Sequence, residues 1–402
     1  MEQANAQTLT LQATSWNRLA TTAVAHTTEH LYLGIITVVL PVMASAMGFS
    51  MAQAGFLVSA RSLVAGSCNL PSGFLADLTK RRSLLLGLCL VLIGSSSLLM
   101  SFAPSYWPLL AFMAIGGIGA GSFHPQSIAI LSAAYRERRA LALGVHDSAA
   151  NLGEVVAPLT IGLLLTYTDW RTTLQIWAVP GLVVGLSYAL FCPEVNHGEN
   201  HRERLKRRVW EDVVKNRGVL GMFFVSVFRA MGQSALTVFL PLYMTLHLKL
   251  SVSVMGFYIS SLFFFAGIAP SFSGWLSDRV GRMPLIVTGS ALAALTVVAL
   301  PHLPPGIPLG VGCALVGIML WALRPIIFAA AMETAPPQLA GTLVGFLYSG
   351  NMGLSFLAPI AAGFVADVYG LPAAVTFIGI FPLLACIVTL SPLMRGSAPA
   401  NA

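Results

Sequence analysis

From residue 17 to residue 394 the sequence is a succession of apolar stretches, each long enough to cross a lipid bilayer, broken by short loops. A hydrocarbon core about 30 Å thick asks for about 20 apolar residues per helix. Runs of that length number twelve, at 17–43, 51–77, 83–102, 106–134, 140–166, 171–192, 216–246, 251–277, 284–301, 306–334, 338–366 and 371–394. Turns such as LTKRRS, APSYW, YRERR, LPPGIP and APPQ separate them. Only 9% of the 402 residues are charged, against about 25% in soluble domains, and mean hydropathy is +0.80. So few charges cannot cover a water-facing surface, so the surface must face lipid.

The basic residues orient these spans. With the N-terminus in the cytoplasm, seventeen of the 22 Lys and Arg fall on the cytoplasmic side, two (Arg171 and Lys249) fall opposite, and Arg61, Arg229 and Arg324 lie within spans. Positive loops stay inside, so both termini are expected in the cytoplasm. The same loops account for the net charge of +7 without a nucleic-acid partner. The five cysteines are far apart and form no CxxC, which implies neither disulfide nor metal. The N-terminus lacks a basic n-region, so no cleavable signal is expected.

The longest polar segment, 193–215, lies near the midpoint and parts six spans from six. The two halves resemble each other at an offset of about 200 residues. SGFLADLTKRR (72–82) answers SGWLSDRVGRM (273–283), FHP (123–125) answers LRP (323–325), NLG (151–153) answers NMG (351–353), and Pro41 answers Pro241. The expected organisation is a cytoplasmic tail (1–16), a six-helix bundle (17–192), a cytoplasmic linker (193–215), a second six-helix bundle (216–394) and a tail (395–402). The fold class is an all-α membrane protein of twelve transmembrane helices in two pseudo-symmetric bundles. Internal repeats of this kind point to a transporter.

Over nearly its whole length the chain resembles the major facilitator superfamily. The loop GWLSDRVGR (274–282) fits that family's pattern between its second and third spans, and GFLADLTKRR is a degraded copy, with Leu78 for the basic residue and Lys80 for the glycine. The resemblance implies a conformational latch formed by Gly73, Asp77, Gly274, Asp278, Arg279, Gly281 and Arg282. Within the superfamily, AHTTEH, SFHPQS and ALGVHDSAANLGEVVAPLTIG are most similar to the fosmidomycin-resistance exporters. This chain carries Glu29 and His30 where their first motif ends in Asn-Asp. The run Gly153, Ala157, Pro158, Gly162 also resembles the signature of proton-exchanging antiporters.

Ionisable side chains inside a bilayer are expensive and mark functional sites. Here Glu29 lies in span 1, His124 in span 4, Arg229 in span 7 and Arg324 in span 10, while spans 3, 6, 9 and 12 hold none inside. In the superfamily the first set lines the central cavity. Glu29 is therefore the expected proton carrier, with Glu154 second and Asp147 on the same helix face. Glu154 has an alternative as an ion pair with Arg61. His26 and His30, four residues apart, are expected to tune Glu29. Satisfied core histidines and a helix-face metal pair are the alternatives, and no metal or cofactor is assigned. Substrate contacts are expected from Arg229, Arg324, His124, Arg61, Gln126, Tyr32, Gln233 and Asn351. The polar amides have interhelical hydrogen bonding as their alternative.

The sequence shows no nucleophile elbow, HExxH or phosphate-binding loop, so an enzyme is not expected. The expected function is proton-coupled antiport by a monomer in a bacterial inner membrane. It would export a small anionic or amphiphilic compound, with drug resistance as the role the resemblance implies. Proton-coupled uptake of a small carboxylate is the alternative.

Overall fold

Hydrocarbon offers no water to backbone N–H and C=O groups, so each span must satisfy its own as a helix. The computed structural model describes residues 2–135, 137–194, 216–334 and 340–391, with their side chains except at 2–16, 70, 77, 140 and 340–342. The described residues form helices and turns only. In order these are α1 (Glu2–Met47), α2 (Met51–Thr79), α3 (Arg82–Ser101), α4 (Tyr106–Ala134), α5 (Arg139–Leu164) and α6 (Trp170–Phe191). Then come α7 (Arg217–Leu242), α8 (Val252–Val280), α9 (Arg282–Ala299), α10 (Ile307–Glu333), α11 (Ala340–Ser355), α12 (Leu357–Tyr369), α13 (Leu371–Ile378) and α14 (Ile380–Leu390). A π-helical turn, Tyr243–His247, extends α7, and a 3₁₀ turn, Leu300–His302, extends α9.

Among the described residues ten segments are long and apolar enough to cross a membrane. The pairs α11–α12 and α13–α14 each make one of them, at Leu343–Tyr369 and Leu371–Leu390. The helices α2 and α5 have the length, 29 and 26 residues, but not the apolarity. They carry Arg61, Asn69, Asp147 and Glu154 among other polar side chains, the residue types that sequence reasoning assigns to a site. The linker at 195–215 and the tail at 395–402 lie outside the described residues.

Two compact units are distinguished, residues 1–36 with 60–200 and residues 37–59 with 201–402. Residues 37–59 are tied into the second unit at the start of α2. There the Asp367 carboxylate accepts from the backbone N–H groups of Met51 at 2.7 Å and Ala52 at 2.9 Å. A helix N-terminus leaves such donors unsatisfied and carries a partial positive charge, so a carboxylate from α12 caps α2. Ser59 adds a hydrogen bond to the Phe356 carbonyl at 2.6 Å. The variant Asp367→Ala removes both cap bonds. Its expected cost is about 1 kcal/mol, read as a lower melting temperature in detergent, with Asp367→Asn retaining part of the loss.

The core of the second unit interleaves Val219, Met222 and Val225 of α7 with Leu323, Ile326 and Ile327 of α10. The first unit differs in kind. Its interior holds His26, Glu29, Gln126, His146 and Glu154, all at most 9% exposed.

Candidate functional site in the first unit

His26, Glu29 and His30 lie on α1 at spacings that put all three on one helix face. His124 comes from α4, His146 and Glu154 from α5 and Arg61 from α2. What lets α5 come close enough is Gly153. A Cβ built there would stand 2.5 Å from the Thr27 carbonyl oxygen and 3.0 Å from the His30 Cβ. The approach is secured by Thr27, whose hydroxyl donates to the Ala149 carbonyl at 2.9 Å. The Gly153–Ala157 run thus brings α5 against α1, with Glu154 facing His30.

The imidazole of His30 bridges two carboxylates. Its Nδ1 is 3.1 Å from Glu154 Oε1 and its Nε2 is 3.4 Å from Glu29 Oε2. The other oxygen of Glu29 faces the Arg61 guanidinium at 3.9 Å. Arg61, Glu29, His30 and Glu154 therefore form one chain of charge. If both carboxylates are ionised and His30 is protonated, the four charges cancel. Removing one proton then leaves a net negative charge in an apolar unit, and adding one leaves a net positive charge.

Three further histidines surround this chain. His26 Nδ1 lies 2.7 Å from the His146 carbonyl oxygen, to which only an N–H can donate. The rings of His26 and His146 stack with centroids 3.7 Å apart, and His124 meets His26 edge-on at 5.3 Å. Among the described residues, His26 Nε2 and both ring nitrogens of His146 are buried without a hydrogen-bond partner. His146 is the member that sequence reasoning missed. Its signal was an imidazole within an apolar span, two helical turns before Glu154.

The other expected residues are distributed as follows. Asp147 is exposed. Tyr32 is committed to α6: its hydroxyl donates to the Trp177 carbonyl and accepts from the Gly181 N–H at 2.8 Å. Gln126 joins α2 to α3, donating to the Ser72 carbonyl at 3.0 Å and accepting from Arg82 at 3.2 Å. In the second unit, Ser226 donates to Asn351 at 2.9 Å. Arg229, 3% exposed, donates to the Gln233 side chain and, at 3.3 Å, to the Leu320 carbonyl. Its Nε has no hydrogen-bond partner among the described residues. Arg324 is exposed.

Around the second loop copy, Arg282 pairs with Glu333 at 2.7 Å and with Asp278 at 3.7 Å, and Arg279 lies 4.1 Å above the Trp275 ring. Glu333, at the end of α10, was not foreseen, since only the fold brings α10 to this loop. Gly281 has φ +92°, and Lys80, its counterpart in the first copy, has φ 56°. A lysine at positive φ costs about 1–2 kcal/mol, a strain that a glycine at the same place avoids. Gly73 and Gly274 lie within α2 and α8, and the Asp77 side chain is outside the described ones.

A family model described as Major Facilitator Superfamily matches residues 22–359 and 222–401. The uncharacterized MFS-type transporter YfnC of Bacillus subtilis (strain 168) is 23% identical over 369 residues, covering 89% of this chain and 88% of its own. The fosmidomycin resistance protein of Escherichia coli (strain K12) is 21% identical over 394 residues, covering 96% and 95%. Among solved structures, a bacterial homolog to the human lysosomal transporter Spinster, inward-facing and unoccupied, has a TM-score of 0.85 at 18% identity. That likeness covers 97% of this chain and 99% of the other.

Proposed function

The chain belongs to the major facilitator superfamily, and from that premise we propose that it is a proton-coupled antiporter exporting a small anionic or amphiphilic compound by alternating access. It is a multi-pass membrane transporter and not an enzyme. The proposed setting is a bacterial inner membrane with both termini in the cytoplasm, and six-helix halves at 17–192 and 216–394. The observation that carries the coupling is the bridge of His30 between Glu29 and Glu154, beside Arg61. Three ionisable groups in contact within a mostly buried cluster can exchange one proton for a change in nearby charge. Arg229 supports an anionic substrate, because a buried guanidinium whose Nε has no hydrogen-bond partner among the described residues is completed by a ligand's negative charge. The likeness to the fosmidomycin resistance protein supports export.

The test is flux in inverted membrane vesicles under an imposed pH gradient, with fosmidomycin and a panel of organic anions as probes. Exchange predicts accumulation of the transported probe inside vesicles acidified within, and its collapse when the gradient is dissipated. Probe movement in the same direction as protons would replace export by uptake.

A further inference from the structure

The histidine-rich cluster is more than a proton relay requires. His26, Glu29, His30 and His124 each offer a ligand atom, and these four atoms all lie within 4.8 Å of one another. Two come from one turn of α1, one from the next residue along it and one from α4. A closed tetrahedral shell with zinc–ligand bonds of 2.0–2.1 Å has its ligand atoms about 3.3 Å apart. Separations of up to 4.8 Å shorten by about 1.5 Å to reach that shell.

The surroundings prepare these imidazoles as ligands. A histidine that binds a metal through one nitrogen usually donates its other N–H to a backbone carbonyl or a carboxylate. His26 does the first: Nδ1 is held on the His146 carbonyl, which leaves Nε2 buried and without a hydrogen-bond partner among the described residues. The His26 side chain is 2% exposed, so bulk water does not satisfy that nitrogen. His30 does the second, with Nδ1 on Glu154 and Nε2 turned to Glu29, itself one of the four. A buried unpaired nitrogen costs about 1–3 kcal/mol, and a cation among the three rings would turn that cost into a bond.

We propose that His26, Glu29, His30 and His124 form a binding site for one late first-row divalent metal ion, of which Zn²⁺ is the best fit. Three imidazoles and one carboxylate suit zinc, cobalt or nickel and not the oxygen-preferring magnesium or calcium. Glu29 and Glu154 against Arg61 leave one negative charge, so a dication bound through neutral imidazoles leaves the cluster with one net positive charge. The i, i+4 pair His26 and His30 was the only metal-like feature legible in the sequence, and two ligands alone did not assign a metal. The fold adds Glu29 and His124. This inference does not depend on the proton-coupling reading, although metal and coupling protons would occupy the same atoms in turn.

The experiment uses the full-length, untagged protein purified in detergent. Co²⁺ is titrated while its visible absorption is followed, and Zn²⁺ is then added in competition. The expected result is one saturable site per chain, with the intense bands of four-coordinate Co²⁺, bleached by Zn²⁺ and unmoved by excess Mg²⁺. His124→Gln and His26→Gln each lower affinity by at least about tenfold, whereas His302→Gln, outside the cluster, leaves it unchanged. X-ray absorption of the Zn²⁺-loaded wild type reads imidazole scattering from about three rings, and it needs no variant to fold. Absence of a saturable site in the wild type, or equal affinity in the His26 and His124 variants, overturns the proposal. Transport by the wild type and by Glu29→Gln tests the coupling reading separately, so either can fail alone.

Discussion

Glu29→Gln is expected to reduce proton-driven flux by at least about 100-fold, the scale on which a positioned proton-transfer group contributes. Glutamine keeps the shape of the side chain and both contacts, at 3.4 Å to His30 and 3.9 Å to Arg61, but not its charge or its proton. Three consequences follow from one substitution. Arg61 loses the carboxylate that faces it while remaining 13% exposed. The His30 imidazole keeps a carboxylate on one side only. The four-member charge chain gains one net positive charge in the states in which Glu29 is ionised. Removing one partner of a buried pair costs about 3–5 kcal/mol, and the long Arg61 contact puts this one at the lower end. The variant should therefore melt earlier yet still purify as a monodisperse protein. Inverted vesicles under a pH gradient measure the flux, and size-exclusion and thermal melting measure the fold. Glu154→Gln should give a smaller flux loss, because Glu154 contacts the chain only through His30. Wild-type flux in both variants would remove the cluster from the coupling mechanism.

Gly153→Leu is expected to abolish flux and to lower folded yield. Its Cβ would press on the Thr27 carbonyl at 2.5 Å and on the Leu31 nitrogen at 3.1 Å. Both are backbone atoms of α1, which cannot swing aside as a side-chain tip can. The two helices must part, and what holds them is tight. Thr27 donates to the Ala149 carbonyl at 2.9 Å, and a Cβ at Gly34 would lie 2.4 Å from the Ala157 Cβ. Overpacking of this kind costs about 1–3 kcal/mol. Its functional effect is larger, because parting α1 from α5 opens the 3.1 Å contact between His30 and Glu154. Gly153→Ala should show the same loss in milder form. Melting temperature and vesicle flux, measured together across Gly, Ala and Leu, read both effects. A leucine variant with wild-type melting and flux would show that the close approach is dispensable.

The site was legible in part, and the limits are physical. Glu29 and His30 stand out in the sequence because a carboxylate and an imidazole in an apolar run are costly and so must have partners. Which partners they have was not legible. An ion pair of Arg61 with Glu154 was the alternative reading; in the structure Glu29 faces Arg61, and Glu154 meets His30. His146 and Glu333 went unforeseen because their roles depend on contacts 120 and 51 positions away along the chain. Tyr32 and Gln126 look like ligand contacts in sequence. In the fold their polar atoms are bound to the backbones of α6 and α2 and, for Gln126, to Arg82.

By itself the sequence determined that this chain crosses a bilayer many times as helices, because apolar length and scarcity of charge are local properties that lipid reads directly. It also determined the repeat, since that is a relation between residues and not between positions in space. Tertiary structure alone decided how α1, α2, α4 and α5 converge to place four histidines around two carboxylates. That convergence depends on the distance between helices, and here a single glycine on α5 sets how near α5 comes to α1.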